Sequence, residues 1–440
     1  MNHLENDDKR VSVEEKQLSA EDDTSLSIAE PADDGLPPTD KGIAWIAMIG
    51  STLGLYTSFG YINVVGLFEA YYLHHQLSQY SASTVSWITS LQAFILLGTG
   101  VITGRLVEMY GPRKLAIVGT AFTVTGIMTT SVCTKYWHFI LAQGICTSIG
   151  NSCVYYASIV SVSTWFKKYR ATAMGVVVAG SSIGGLTLPF VFSNLQPRIG
   201  FPQTVRAIGF IMLGACVICC VTISSRIPPN KELQKKFFDF KTEVKQPLTS
   251  LSFCLMVFAL FFSYWGLLGT MGYLSTHAIA HGVSQKTAFY IISIYNAASI
   301  VGRIGPGFAA DKFGTYNLHA ASCFLCGILI LAWWIPAKSN GTILSFAGVF
   351  GFATGPYTSL FANLVADITP PAEIGRRLGV VTFFVSIAAL TSMPIAGATL
   401  DKEHTKFIGL QVFAGVTMLV GGCFVLASKL AAGKGWLEKF

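Results

Sequence analysis

About twenty mostly apolar residues suffice for a helix to cross roughly 30 Å of hydrocarbon, and this 440-residue chain holds twelve such segments. They fall at roughly 43–68, 84–104, 115–133, 136–160, 171–193, 206–224, 251–275, 287–309, 318–337, 342–366, 378–398 and 407–428. The third and fourth are separated only by a turn at Thr134 and Lys135. Hydrophobic residues make up 52% of the chain and charged residues 12%, about half the roughly 25% charged content of soluble domains. The pattern predicts an all-α membrane protein with twelve transmembrane helices in two six-helix repeats.

Charge is distributed unevenly. Residues 1–40 hold twelve of the 23 acids and three Lys or Arg, include Pro31, Pro37 and Pro38, and lack an apolar run. Residues 1–41 therefore read as a disordered acidic cytoplasmic tail. No basic stub leads into an apolar core of roughly 7–15 residues, so the first span is expected to act as its own targeting signal. The remaining 400 residues carry 27 basic and 11 acidic side chains. With the N-terminus inside, inner loops and the C-terminal tail hold 18 Lys or Arg and outer loops seven, which places both termini in the cytoplasm. The basic loops read as lipid-bilayer anchors and not as a nucleic-acid site. Ten cysteines, including the Cys323–Cys326 pair, fall almost wholly inside apolar spans and read as small fillers.

A short motif occurs twice. Gly104, Glu108 and Gly111, followed by Arg113 and Lys114, recur as Gly307, Asp311 and Gly314, with Lys312, each element 203 positions later. A second pair, Met174-Gly175-Val-Val and Leu378-Gly379-Val-Val, recurs with a glycine offset of 204 and leads to Pro189 and Pro394. The duplication predicts helix bundles at 42–224 and 251–428, a linker at 225–250 and a tail at 429–440. Parallel six-span repeats are the organisation of major facilitator transporters.

These motifs resemble the major facilitator superfamily over all twelve spans. The stretch from Trp165-Phe166-Lys167-Lys168-Tyr169-Arg170 through Gly175 to Ala179-Gly180 is similar to the signature entering the fifth span of the monocarboxylate-porter family, and Gly66-Leu-Phe68-Glu69-Ala-Tyr71-Tyr72 resembles its fungal branch. Asp40-Lys41-Gly42-Ile43-Ala44-Trp45 matches the first-span signature of the animal members only in part. The lysine those members use falls at Asn63, their eighth-span acid at Ser299, and their arginine is kept as Arg303. The resemblance thus implies an anion-contacting arginine and withholds the usual proton-coupling pair.

Arg303 is the sharpest residue. Eight positions before Asp311, it lies about 12 Å inside the membrane boundary. A guanidinium there costs about 2.5–3.5 kcal/mol on insertion scales, an expense that a carboxylate held by its planar fork can offset. Outside the tail, every acid is expected at a span end or in a loop, so an anion is the favoured cargo. Spans 1, 4, 7 and 10 line the central path in the resembled superfamily. On them Tyr56, Asn63, Tyr155, Tyr264, Trp265, Tyr357 and Phe361 are cavity candidates, and Phe361 falls where the family places a bulky residue controlling substrate size. Glu108 with Arg113 and Lys114, and Asp311 with Lys312, are expected to form a cytoplasmic latch framed by Gly104, Gly111 and Gly307. His138, His277 and His281 read as exposed loop residues near outer ends, and no metal site or cofactor is predicted.

The function expected is secondary active transport of a small organic anion, a monocarboxylate first of all, by alternating access at the plasma membrane, with a proton as candidate co-substrate. The alternatives are a fungal efflux transporter for a secondary metabolite, a riboflavin-like vitamin importer and, outside transport, a nutrient sensor. No Walker-type phosphate loop appears, and no nucleophile or dyad suggests an enzyme.

Overall fold

The computed structural model describes residues 37–236, 238–400, 407–435 and 438. The acidic-tail expectation for 1–36, the loop residues Asp401, Lys402, Glu403 and Lys406, and part of the C-terminal tail lie outside the described residues. Among those described, every regular element is helical. The first six helices are α1 (Ile43–Thr57), α2 (Phe59–His74), α3 (Ala82–Gly98), α4 (Gly100–Tyr110), α5 (Pro112–Thr130) and α6 (Tyr136–Trp165). Then follow α7 (Arg170–Thr222), the short α8 (Lys231–Lys235), α9 (Leu251–Ala280) and α10 (Gln285–Phe313). The last four are α11 (Thr315–Trp334), α12 (Asn340–Asp367), α13 (Ile374–Leu400) and α14 (Ile408–Ala431). The described residues from Thr39 onward pack as one unit.

Each of the twelve expected segments is helical, but the helices do not map onto them one for one. Two expected spans, 171–193 and 206–224, lie on either side of a break inside α7 (Arg170–Thr222) and so correspond to its two separate helices. Gly200, at φ 76 and ψ 167, makes that break. Conversely α3 and α4 form one segment bent by 43° at Thr99. By length and apolarity, seven described helices are long and apolar enough to cross a membrane, or eight with the bent pair counted. Among the rest, α10 and α12 carry buried polar residues such as Asn296, Arg303, Thr354 and Asn363 on faces packed against protein. The interval 225–250 is not a plain loop: it contains α8 and short helical turns at Lys241–Lys245 and Pro247–Thr249.

The repeated motif explains two of the sharpest turns. Gly111 (φ 83, ψ 158) separates α4 from α5, and Gly314 (φ 91, ψ 143) separates α10 from α11. This backbone region is essentially open only to glycine. Upstream, the Asp40 carboxylate accepts from the backbone N–H groups of Lys167, Lys168 and Tyr169, and Trp45 meets Phe166 edge-on at 5.3 Å. The entry to α1 is thereby tied to the turn before α7. Across the molecule, α4 packs on α13 and α10 packs on α7, the two contacts that position the features below.

Candidate substrate cavity and latch

A cavity of about 190 Å³ lies among α1, α2, α3, α6, α7, α9, α10, α12 and α13. Its walls are mostly aliphatic and aromatic, including Leu55, Phe59, Leu97, Leu267 and Val385. Arg303 is the one charged side chain among the described lining residues. It is 7% exposed. Its Nη1 donates to the Val178 carbonyl (2.7 Å) and to Ser181 Oγ (2.6 Å), and its Nε donates to Thr358 Oγ1 (3.1 Å). Nη2 makes no hydrogen bond to a described residue. The guanidinium is therefore pinned by α7 and α12 while keeping a donor for a ligand. Charge-assisted hydrogen bonds are the strong ones, and a low-dielectric setting strengthens them further.

Six of the sequence candidates line this cavity: Arg303, Asn63, Tyr155, Tyr264, Tyr357 and Phe361. Three do not. Tyr56 stands off it, its hydroxyl accepting from Thr187 (3.2 Å); Trp265 donates to Thr391 (2.9 Å); and Ser299 is fully buried with an unpartnered hydroxyl. Ser299 is one turn from Arg303 but outside the lining. Tyr295, Asn296, Ser181 and Thr358 line the cavity and were missed. For Asn296 a signal existed, since it lies seven residues before Arg303 and so shares its helix face. Ser181 and Thr358 carry no comparable mark, because small hydroxyl residues are common along these helices. The histidine expectation is corrected at His277, which is helical and 2% exposed, packed against Trp334 and Phe407 with Gln411 at 3.4 Å.

The two motif copies meet helix starts across the molecule. Glu108 accepts from the Arg376 backbone N–H (2.9 Å) and from Arg376 Nε (2.7 Å) at the start of α13. Asp311 accepts from the N–H groups of Ala171 (2.8 Å) and Thr172 (2.9 Å), and from the Thr172 hydroxyl (2.5 Å), at the start of α7. The first N–H groups of a helix lack internal acceptors and carry partial positive charge, so each carboxylate is a well-matched cap. The motif glycines make the approach possible. A Cβ on Gly104 would collide with the Gly375 carbonyl, and one on Gly307 would sit 2.9 Å from the Ala171 carbonyl.

The basic partners differ from those expected. Arg113 points instead to the Ile223 and Val221 carbonyls (3.3 and 3.0 Å). Lys114 is exposed, as is Lys312, whose ammonium lies 5.6 Å from the Phe313 ring. The missed arginines stand at the starts of the helices that the acids face: Arg376 binds Glu108, and Arg170 bonds Asp367 at 3.2 Å. Sequence reasoning took the acids to pair with neighbours in the chain, whereas the fold brings helix starts distant in sequence closer. The linker docks on the first copy. Buried Arg105 pairs with Glu243 and reaches the Leu233 and Lys236 carbonyls, Gln234 bonds the Met109 carbonyl, and the Asn230 N–H donates to the Glu108 carbonyl.

Helices throughout the described residues, duplicated motifs and a mostly apolar cavity holding one arginine are the architecture of a membrane transporter. The Major Facilitator Superfamily model matches residues 44–390, and the chain belongs to that superfamily; it is a transporter and not an enzyme. Among its relatives is the fujikurins efflux protein of Gibberella fujikuroi, 38% identical over 93% of this chain and 87% of the relative. Another is the aspyridones efflux protein of Emericella nidulans, 35% identical over 95% of this chain and 85% of the relative. The Escherichia coli fucose:proton symporter shares the fold, with a TM-score of 0.67 at 13% identity over 87% of this chain and 98% of the symporter.

Proposed function

We propose that this transporter exports a largely apolar organic acid by alternating access, with Arg303 holding the acid group. The observation that carries this reading is the cavity itself, which sets one pinned guanidinium among aromatic and aliphatic walls with no lining carboxylate. Such walls favour a bulky acid over the small hydrophilic monocarboxylate that the fifth-span signature suggests. The efflux names of the relatives support export. Asn63, Tyr155, Tyr264, Tyr357 and Phe361 shape the site, and Tyr56 and Ser299 act from behind it.

The remaining architecture follows the duplication. Six-span bundles at 42–224 and 251–428 are joined by the 225–250 linker, with both termini in the cytoplasm and the protein in the plasma membrane. The face rich in Lys and Arg is then cytoplasmic, and crossed caps at Glu108 and Asp311 hold it shut in this state.

Purified protein in liposomes tests the reading with labelled 2-naphthoate beside lactate. The expected outcome is 2-naphthoate movement that falls at least about tenfold in Arg303→Ala, with little lactate movement. Lactate transport without 2-naphthoate transport returns the assignment to a monocarboxylate porter. Movement of neither, by folded protein, sinks the organic-acid reading.

A further inference from the structure

The contact between α11 and α12 holds buried polar atoms that neither the cavity nor the crossed caps explain. Ser322 donates to the Ala353 carbonyl (2.7 Å) and accepts from the Tyr357 N–H (3.2 Å), while the Tyr316 hydroxyl donates to the Leu364 carbonyl (3.3 Å). These bonds set the two helices antiparallel and in register. Along that register the Tyr357 hydroxyl, both ring nitrogens of His319, both amide atoms of Asn363 and Oδ2 of Asp367 lack a hydrogen-bond partner among the described residues. Tyr357, His319 and Asn363 are 1%, 0% and 1% exposed. The rings of His319 and Tyr357 are 5.0 Å apart.

The row has two functional ends. Tyr357 is part of the cavity wall. Asp367 lies ten residues further on, about 15 Å along the helix axis, where its other oxygen bonds Arg170. Buried polar atoms are nearly always partnered, and intramembrane histidines and carboxylates in series mark proton relays. We propose that this seam conducts a proton from the substrate cavity to Asp367, and that neutralising Asp367 releases Arg170 and lets the basic face open.

In this relay His319 takes a proton at one ring nitrogen and gives one up from the other, as an imidazole with one donor and one acceptor can. Asn363 orients the path without changing charge. Oδ2 of Asp367 receives the proton, the carboxylate becomes a neutral carboxyl, and Arg170 loses its ionic partner. Once the face opens, the proton passes to water on that side and Asp367 regains its charge. One proton crosses per cycle. This inference rests on the export reading: the proton resets the empty transporter, and the acid travels on the other half-cycle.

Neighbouring groups leave the imidazole to this role. On α10, Tyr295 bonds Thr354 (2.8 Å), and Asp311 caps α7. On α14, Lys429 bonds Asn317 (2.7 Å) and Cys423 is exposed. Thr315 and Asp311 lie beside Asp367. None of these groups hydrogen-bonds His319.

Two assays on the full chain in liposomes separate the outcomes, with 2-naphthoate as probe. One is exchange of labelled for unlabelled probe at equal pH, and the other is uphill probe movement against an opposing proton gradient. In His319→Leu and His319→Gln, exchange should persist while gradient-driven movement falls about tenfold or more. Asp367→Asn, a mimic of the protonated carboxyl, should make exchange independent of pH. Equal loss of both activities in the His319 variants overturns the relay and leaves a structural histidine. Uphill probe movement by the unmodified protein that does not depend on the proton gradient also overturns it, with the export reading intact. Absence of any exchange, or exchange that survives Arg303→Ala, overturns the cavity reading and the relay with it.

Discussion

The Glu108 and Asp311 caps descend from one motif yet hold their face by different physics. Asp311 meets the start of α7, taking two N–H donors and one hydroxyl. Glu108 meets a backbone N–H and the Arg376 guanidinium, and Glu373 contributes a second carboxylate to Arg376 at 3.6 Å. Only the first copy carries an arginine after its glycine, and Arg105 uses it to hold the linker through Glu243. Position 308 in the second copy is Phe308, which is exposed. The two motif copies thus make two caps of similar geometry, and Arg105 makes the first of them a docking point for the segment around Leu233, Lys236 and Glu243. A symmetric scaffold can open asymmetrically when its two seals differ in strength.

That asymmetry is open to direct attack. The largest effect should come from Arg105→Ala, which strands the buried Glu243 carboxylate. Removing one member of a buried pair costs about 3–5 kcal/mol, which here should appear as undocking. Limited proteolysis between α8 and α9 should accelerate by more than about tenfold, whereas Phe308→Ala should leave the cleavage rate unchanged. Equal cleavage in the two variants would remove the distinction between the seals.

Next come the glycines. Gly104→Ala forces a methyl against the Gly375 carbonyl, and Gly307→Ala meets a looser contact. Overpacking of this kind costs about 1–3 kcal/mol, with the larger penalty at Gly104. Hydrogen exchange at the starts of α13 and α7 reads the two interfaces separately, and a greater rise at α7 from Gly307→Ala would invert the ranking. Lys114→Ala and Lys312→Ala should do least, within about 0.5 kcal/mol, because both side chains are exposed. A transport defect from either would restore the basic residues to the latch.

The residues differ in how much of this they announced. Gly111 and Gly314 were legible as breaks, because only glycine accepts their backbone angles. Arg303 was legible as well, since a cation at that depth needs a reason wherever it points. Arg376, Arg170 and His277 were not. Their roles depend on partners about 270, 200 and 130 positions away, and no local pattern encodes a pairing at that separation. The Tyr357–His319 contact belongs with them.

By itself the sequence determined the helices, their apolar lengths, the duplication and the single deep cation, because periodicity, hydropathy and glycine geometry act locally along the chain. The tertiary structure alone decided which acid caps which helix, that α3 and α4 make one bent segment, which side chains share the cavity with Arg303, and where the linker docks. Those outcomes come from packing between helices distant in sequence, where a shift of one turn changes every partner while leaving each helix and its apolar pattern the same.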